Sequence, residues 1–295
     1  MPSIPPIDSV RQILFEELAA LEFLIVKGIL QMETVCEVCG ASVSANIARE
    51  SYRHRCLLSK RVETSVWKGT FFSRVNLGPH HVLRLAYFWL SGCSHSVLQT
   101  ITGHSSKTIT TFMKHFRQVL ENSIPASACV IGGEGIIVEI DECKVAKRKF
   151  NRGHFVEGAW VVGGVERTEQ RKVFMVEVQD RTAETLADII STYVAPGSII
   201  HTDCWKGYSC LTHFDRVEHR TVNHSVYFKD PITGVHSNTI EGTWAAVKSS
   251  IAKRYRCAGA LENHLMCFIW RRLNSESLWD SFLRDVKDCL YLDYA

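Results

Sequence analysis

The sequence predicts an α/β chain: a mixed central sheet with helices on its faces, preceded by a basic helical module. Three observations carry that prediction. Three runs rich in β-branched residues follow one another between Gly135 and Asp180. After them, helical and extended patterns alternate. The charge is also lopsided: residues 1–48 carry −4, residues 49–121 carry +8 with six histidines besides, and the remainder carries −1, although the chain nets only +3. A polyanion-binding module joined to something else has this distribution, and so does a solvated basic face.

A chain of 295 residues has room for one large domain and one or two small ones. Its 46% hydrophobic and 22% charged residues are those of a globular protein. No stretch reaches the ~18 apolar residues of a membrane span, and the nearest, LAALEFLIVKGIL, is interrupted by Glu22 and Lys27. The opening MPSIPPIDSV has neither the basic start nor the apolar run of a secretory signal. Eleven scattered cysteines read mostly as reduced thiols of a cytosolic or nuclear protein.

Taken in order, residues 8–30 read as one helix, capped by Asp8 or Ser9, with Ile13, Leu14, Leu18, Leu21, Leu24 and Ile25 at helical spacing. The stretch CEVCG then presents Cys36 and Cys39 ahead of a glycine, a zinc-knuckle signature. Its second half is weaker: YRHRC offers His54 and Cys56 where a full ribbon has a second Cys-x-x-Cys. A zinc site and incidental cysteines in a small loop-rich module both fit.

Residues 79–121 read as three helices. The last two, SHSVLQTITG and HSSKTITTFMKHFRQVLE, are separated by a turn at Gly103, the layout of a helix-turn-helix. In that geometry Ser105, Ser106, Lys107 and Thr110 front the second helix, where base edges and phosphates are contacted, and Lys114 and Arg117 extend the basic surface.

Beyond Pro125 the pattern changes. GIIVEIDECKV, FVEGAWVVGGVE and KVFMVEVQD read as strands, TAETLADIISTYV as a helix opened by Thr182, GSIIHTDCW and HRTVNHS as strands, and HSNTIEGTWAAVKSS as a helix. The expected order is β-β-β-α-β-α-β-α.

Three acids stand out against this frame. Asp141 lies inside the first of these strands, between apolar neighbours, where a carboxylate is costly unless it faces a cleft or a cation. Alternation puts Glu139 and Asp141 on one face, Ile140 and Glu142 on the other. Asp203 ends the fourth strand, and ligands of open sheets collect at such ends. Glu241 lies on the helix after the fifth. If the first and fourth strands are neighbours, the aspartates lie side by side and the helix adds the glutamate.

Three converging carboxylates repel one another. Magnesium or manganese, hard cations that take oxygen ligands, offsets that repulsion, and a two-ion site is suited to phosphoryl transfer. Lys248, two helical turns after Glu241, shares its face. Lys144, Lys147, Arg148, Lys149 and Arg152 follow Asp141 in a predicted hairpin and would line the same cleft for a nucleic-acid backbone. Any one of these acids alone reads as a cap or surface group; the combination is the signal.

The segments EIDECKVAKRKFNRGHFVEGAWVVGGVER, DRTAETLADII, APGSIIHTDCWKGY, TVNHSVYFKDPITGVHSNTIEGTW and FIWRR resemble the Merlin superfamily of DNA transposases and the transposase domain of related bacterial insertion sequences. The resemblance runs from about Gly135 to Arg272, and residues 34–122, including GTFFSRVNL, are similar in layout to that family's N-terminal part.

It implies an RNase H-like catalytic domain at 130–275. Ahead of it stand an N-terminal helix (1–33), a zinc-ribbon-like module (34–78) and a helix-turn-helix segment (79–124); a helical tail (276–295) follows. It also implies catalytic and metal-binding roles for Asp141, Asp203 and Glu241, with two Mg²⁺ or Mn²⁺ ions. The chemistry implied is nicking at transposon ends followed by attack of the freed 3′-hydroxyl on target DNA. Partners would be terminal inverted repeats, target DNA and further copies of the chain, in the nucleus of a eukaryotic host or otherwise in the cytoplasm. Where family members often show a second cysteine pair, this chain has HRCLLSKRVE, so either His54 replaces a cysteine or the zinc is lost. The competing expectation is a decayed or host-adopted protein that only binds DNA.

Overall fold

The computed structural model describes residues 3–56, 58, 62–73, 75–145, 159–222, 234–257 and 259–289. The chain divides into two compact units, residues 124–273 and the flanking residues 1–123 with 274–295.

The first unit opens with α1 (Ile7–Phe15) and α2 (Glu17–Val26), where the sequence predicted one helix over 8–30. Glu16 is extended, at φ −119° and ψ 124°. Neither Gly nor Pro sits at the break; both short helices pack on α3 (Pro79–Leu90), so tertiary packing sets the break. Four short antiparallel strands come between: β1 (Glu33–Val35), β2 (Ser42–Asn46), β3 (Ser51–His54) and β4 (Val62–Ser65), in that order across the sheet.

After α3 come α4 (His95–Thr102) and α5 (Ser106–Ser123). Ser94 caps α4, and its hydroxyl accepts from Val97 N. Gly103 ends it at φ 70°, a left-handed position where glycine carries no Cβ penalty. Ser105 then caps α5 by accepting from Thr108 N at 3.1 Å.

The second unit begins with β5 (Ile131–Gly132), followed by β6 (Ile137–Lys144), β7 (Trp160–Glu166) and β8 (Val173–Val178), of which the last three pair antiparallel in chain order. Next come α6 (Ala183–Tyr193), β9 (Val194–Ala195), which pairs with β5, then β10 (Ile199–Asp203) and β11 (Glu218–Val222). The main sheet has the order β11-β10-β6-β7-β8, with β10 parallel to both β6 and β11. Instead of the α-helix expected between β10 and β11, Lys206–His213 is a 3₁₀ stretch. The unit closes with α7 (Asn238–Ser250) and α8 (Glu262–Leu273).

Strict alternation along β6, β7 and β8 builds two cores. Val138, Ile140, Val162 and Phe174 pack with α6 and with Tyr208 and Leu211. Cys143, Val161, Val165 and Met175 pack with Ile240, Trp244 and Val247 of α7 and Leu265 and Ile269 of α8. The chain ends its described course in α9 (Leu278–Asp288), part of the first unit, where Phe282 meets Phe116 of α5 edge-on at 5.4 Å. No helix among the described residues is long and apolar enough to cross a membrane.

Candidate functional site

The α7 side of the sheet carries two levels of polar residues. The lower level is buried. Glu139 of β6 is fully buried, and His201 of β10, its register partner, is nearly so. Glu139 Oε2 accepts from the backbone N–H groups of Thr239 and Ile240, at 2.8 and 2.9 Å. Its other oxygen meets Arg167 Nε at 2.5 Å, and Arg167 also donates to His236 O at 2.6 Å. The start of a helix leaves several N–H groups without internal partners and carries a partial positive charge. In α7 the Ser237 side chain does not cap them; His236 Nδ1 accepts from Asn238 N at 3.4 Å, and a carboxylate from β6, a hundred residues earlier, takes the next two.

The upper level is two residues further along both strands. Extending the register Ile199↔Ile137, Ile200↔Val138, His201↔Glu139 brings Asp203 level with Asp141. Glu241 follows directly on the two residues whose N–H groups Glu139 binds, so the cap that fixes α7 also fixes this third acid. Asp141, Asp203 and Glu241 line one groove of about 530 Å³, together with Glu142, Lys144 and Lys248. The Glu241–Lys248 spacing therefore does what two helical turns predict.

A second tie joins α7 to β6. Trp244, nearly one turn after Glu241, donates from Nε1 to Asp141 Oδ2 at 3.1 Å. Gly163 stands opposite Asp141 in the β6–β7 register and makes room for that indole: a Cβ there would come within 2.6 Å of it. Asp203 Oδ1 accepts from Trp205 N at 2.9 Å.

Burial raises the Asp141 carboxyl to about 6 against the Glu142 N–H and the Trp244 indole, and the charges of Asp203 and Glu241 add to the rise. Glu142 is pushed up to about 7 by burial, opposed by the Tyr208 hydroxyl that donates to it, with Asp141 and Asp203 adding to the rise. Each acid that feels its neighbours this way gains from a shared divalent cation.

This stretch of chain has relatives. Residues 131–269 match the family model of the ISXO2-like transposase domain. The matched stretch covers just under half the chain, from β5 into α8, and holds all three acids with Lys144 and Lys248. The transposase domain implies DNA as partner and use of a divalent metal. No curated protein matches the chain.

Other predicted site residues fall differently. Lys147, Arg148, Lys149 and Arg152 lie outside the described residues. Ser106, Lys107 and Lys114 are exposed on α5; Thr110 is exposed too, its hydroxyl 3.1 Å from His95 Nε2. Arg117 is a correction. It is only 8% exposed, so it does not offer its guanidinium to a phosphate. α5 is packed by α3, α4 and α9 on more than one side, which widens its buried stripe beyond the apolar residues. His236 faces Glu139, at 3.4 Å.

Sequence reasoning gave Glu139 its face but no role, and it gave none to Trp244 or Gly163. Only Gly163–Gly164 left a local signal, a glycine pair inside a strand, which marks close approach of another group.

In the first unit, Cys36, Cys39, His54 and Cys56 come together, all four ligand atoms within 4.8 Å of one another. The turn between β1 and β2 presents the first two, with Gly40 at φ 73° and its N–H on Cys36 O at 2.9 Å. His54 ends β3 and Cys56 follows two residues on, and His54 Nε2 is 3.2 Å from Cys39 Sγ. The Cys39 and Val38 N–H groups point at Cys36 and lower its thiol. Although the Ala41 N–H favours its thiolate, Cys39 is raised by burial and by Cys36 and Cys56, the mark of thiols crowded on one spot. A Cys₃His donor set gathered this closely suits tetrahedral zinc.

Proposed function

We propose that the protein is a cut-and-paste DNA transposase of the Merlin type, with an RNase H-like catalytic domain and the acids Asp141, Asp203 and Glu241 as its centre. The observation that carries this reading is the meeting of those acids, from β6, β10 and α7, in one groove of the stretch that matches a transposase domain. The sheet order β11-β10-β6-β7-β8, three antiparallel strands then two parallel ones, supports the RNase H-like assignment.

Asp141, Asp203 and Glu241 would hold two Mg²⁺ or Mn²⁺ ions, which when bound neutralise charge on the attacking and leaving oxygens of an in-line displacement at phosphorus. The chain's own residues do the rest. Trp244 and the Glu139 cap hold the acids in register. Lys144 and Lys248 flank them and attract the phosphate backbone. The same groove serves hydrolytic nicking at the transposon end and attack of the freed 3′-hydroxyl on target DNA, because both are displacements at phosphorus. Two ends must be held at once, so the working species is an oligomer. The direct experiment incubates the purified chain and Mn²⁺ or Mg²⁺ with duplex carrying the inverted repeats that flank its gene. Nicking at the repeat boundary is expected, and no cleavage with either metal overturns the proposal.

The helices α4 and α5 act as a helix-turn-helix that grips DNA through Ser106, Lys107, Thr110 and Lys114. Replacing Lys107 and Lys114 together by Ala should weaken binding and lower the salt slope by about 2, read from affinities across a salt series. An unchanged slope moves the contact elsewhere. Cys36, Cys39, His54 and Cys56 would hold a structural zinc. Metal analysis of the full chain should find about one zinc per molecule, lost in Cys36→Ser along with thermal stability. A preparation with well under one zinc that is nonetheless stably folded argues that the cysteines are incidental.

A further inference from the structure

Beside the three acids, the groove is lined by Trp160 at the start of β7, Arg181 just ahead of α6 and Trp205 just after β10. All three are partly exposed. The Arg181 guanidinium lies over the Trp160 ring, 3.6 Å from its centroid, and over the Trp205 ring at 4.9 Å. Lys144 Nζ also lies over Trp160, at 5.6 Å. A guanidinium is planar, about as thick as a nucleobase, and takes the same place on an indole face.

The surroundings keep the rings where they are. Trp205 is pinned at its backbone by Asp203, packs against Gly207 and meets Tyr208 edge-on at 6.0 Å. Arg181 is only partly enclosed: its ion pair with Glu142 is long, at 3.8 Å, and a third of its side chain is exposed. Two indoles with a planar cation between them therefore stand beside the three acids. Aromatic faces interleaved with cations along a groove are how proteins receive unpaired bases, since every base has a face to stack.

We infer that Trp160, Arg181 and Trp205 form a stacking subsite for one unpaired nucleobase next to the phosphate held at the acids. The base takes the guanidinium's place on the indoles, and Arg181 turns to the flanking phosphate. The inference rests on the transposase reading and deepens it: the DNA end enters the groove with its terminal base unstacked.

The test uses the full chain carrying Asp203→Asn, so that the probe is not consumed, and two probes: a blunt duplex, and the same duplex with a short single-stranded 3′ tail containing 2-aminopurine. Binding is read by anisotropy and stacking by 2-aminopurine emission. The tailed probe should bind more tightly, with its emission quenched. Adding Trp205→Ala or Trp160→Ala should weaken the tailed probe by about tenfold, the size of one stacking contact, abolish the quench and leave the blunt duplex unchanged. Trp205→Tyr should retain most of both effects. Equal affinity for the two probes, an unquenched tail, or a parallel loss on both probes in the Ala and Tyr variants overturns the inference. Failure of the transposase reading shows separately, as wild-type protein that does not nick repeat-bearing DNA. If nicking is intact and the tail unquenched, only the stacking subsite falls.

Discussion

Replacing Asp203 by Asn is expected to reduce metal-dependent nicking by at least about a thousandfold, more than the 10–100-fold typical of losing an outer partner of a metal ligand, while leaving DNA affinity intact. The change is nearly isosteric. It keeps an oxygen to accept from Trp205 N, so the turn after β10 survives. What it removes is one of the negative charges that Asp141 feels. The measurement is nicking of repeat-bearing duplex in Mn²⁺ or Mg²⁺ beside a binding assay in chelator. Equal cleavage by parent and variant would place the chemistry elsewhere.

Glu139→Ala is expected to act on folding. The variant leaves the Arg167 guanidinium and the Thr239 and Ile240 N–H groups without the carboxylate that binds all three. Breaking a buried ion pair from one side costs about 3–5 kcal/mol, because a charge stays behind in a low-dielectric setting. Denaturant unfolding should show a loss of that size. Metal affinity should fall with it, since the cap fixes Glu241. Glu241→Ala is the comparison: that side chain is exposed, so its removal should change stability by no more than about 0.5 kcal/mol. A Glu139→Ala protein as stable as its parent would mean that the apolar face of α7 and the Trp244–Asp141 hydrogen bond hold the helix without the cap.

These two residues mark the reach of the sequence. Asp203, Asp141 and Glu241 were legible because each sits where local pattern makes an acid conspicuous: inside an apolar strand, at a strand end, in the first turn of a helix. Their meeting needed only that β10 lie beside β6, which it does. Glu139 shares its face with Asp141, as alternation predicted. Its role was hidden, because its partners Thr239 and Ile240 lie a hundred residues away and no local motif announces a cap supplied by a strand. The break at Glu16 was hidden for a related reason: α3 offers a surface for two short helices, and no breaking residue shows it. Arg117 misled because a cation on an amphipathic helix reads as surface until its neighbours are known. Conversely, His54 and Cys56 left the zinc reading open in sequence, and the end of β3 with the two residues after it brings them to Cys36 and Cys39.

The proposed sharing of divalent cations by Asp141, Asp203 and Glu241 can be read from crystals of the chain soaked in Mn²⁺, through anomalous scattering. Manganese is expected between those three side chains, as one peak or as two about 3.5–4 Å apart. Manganese bound only at other sites, with the acid groove empty at saturating metal, would contradict it.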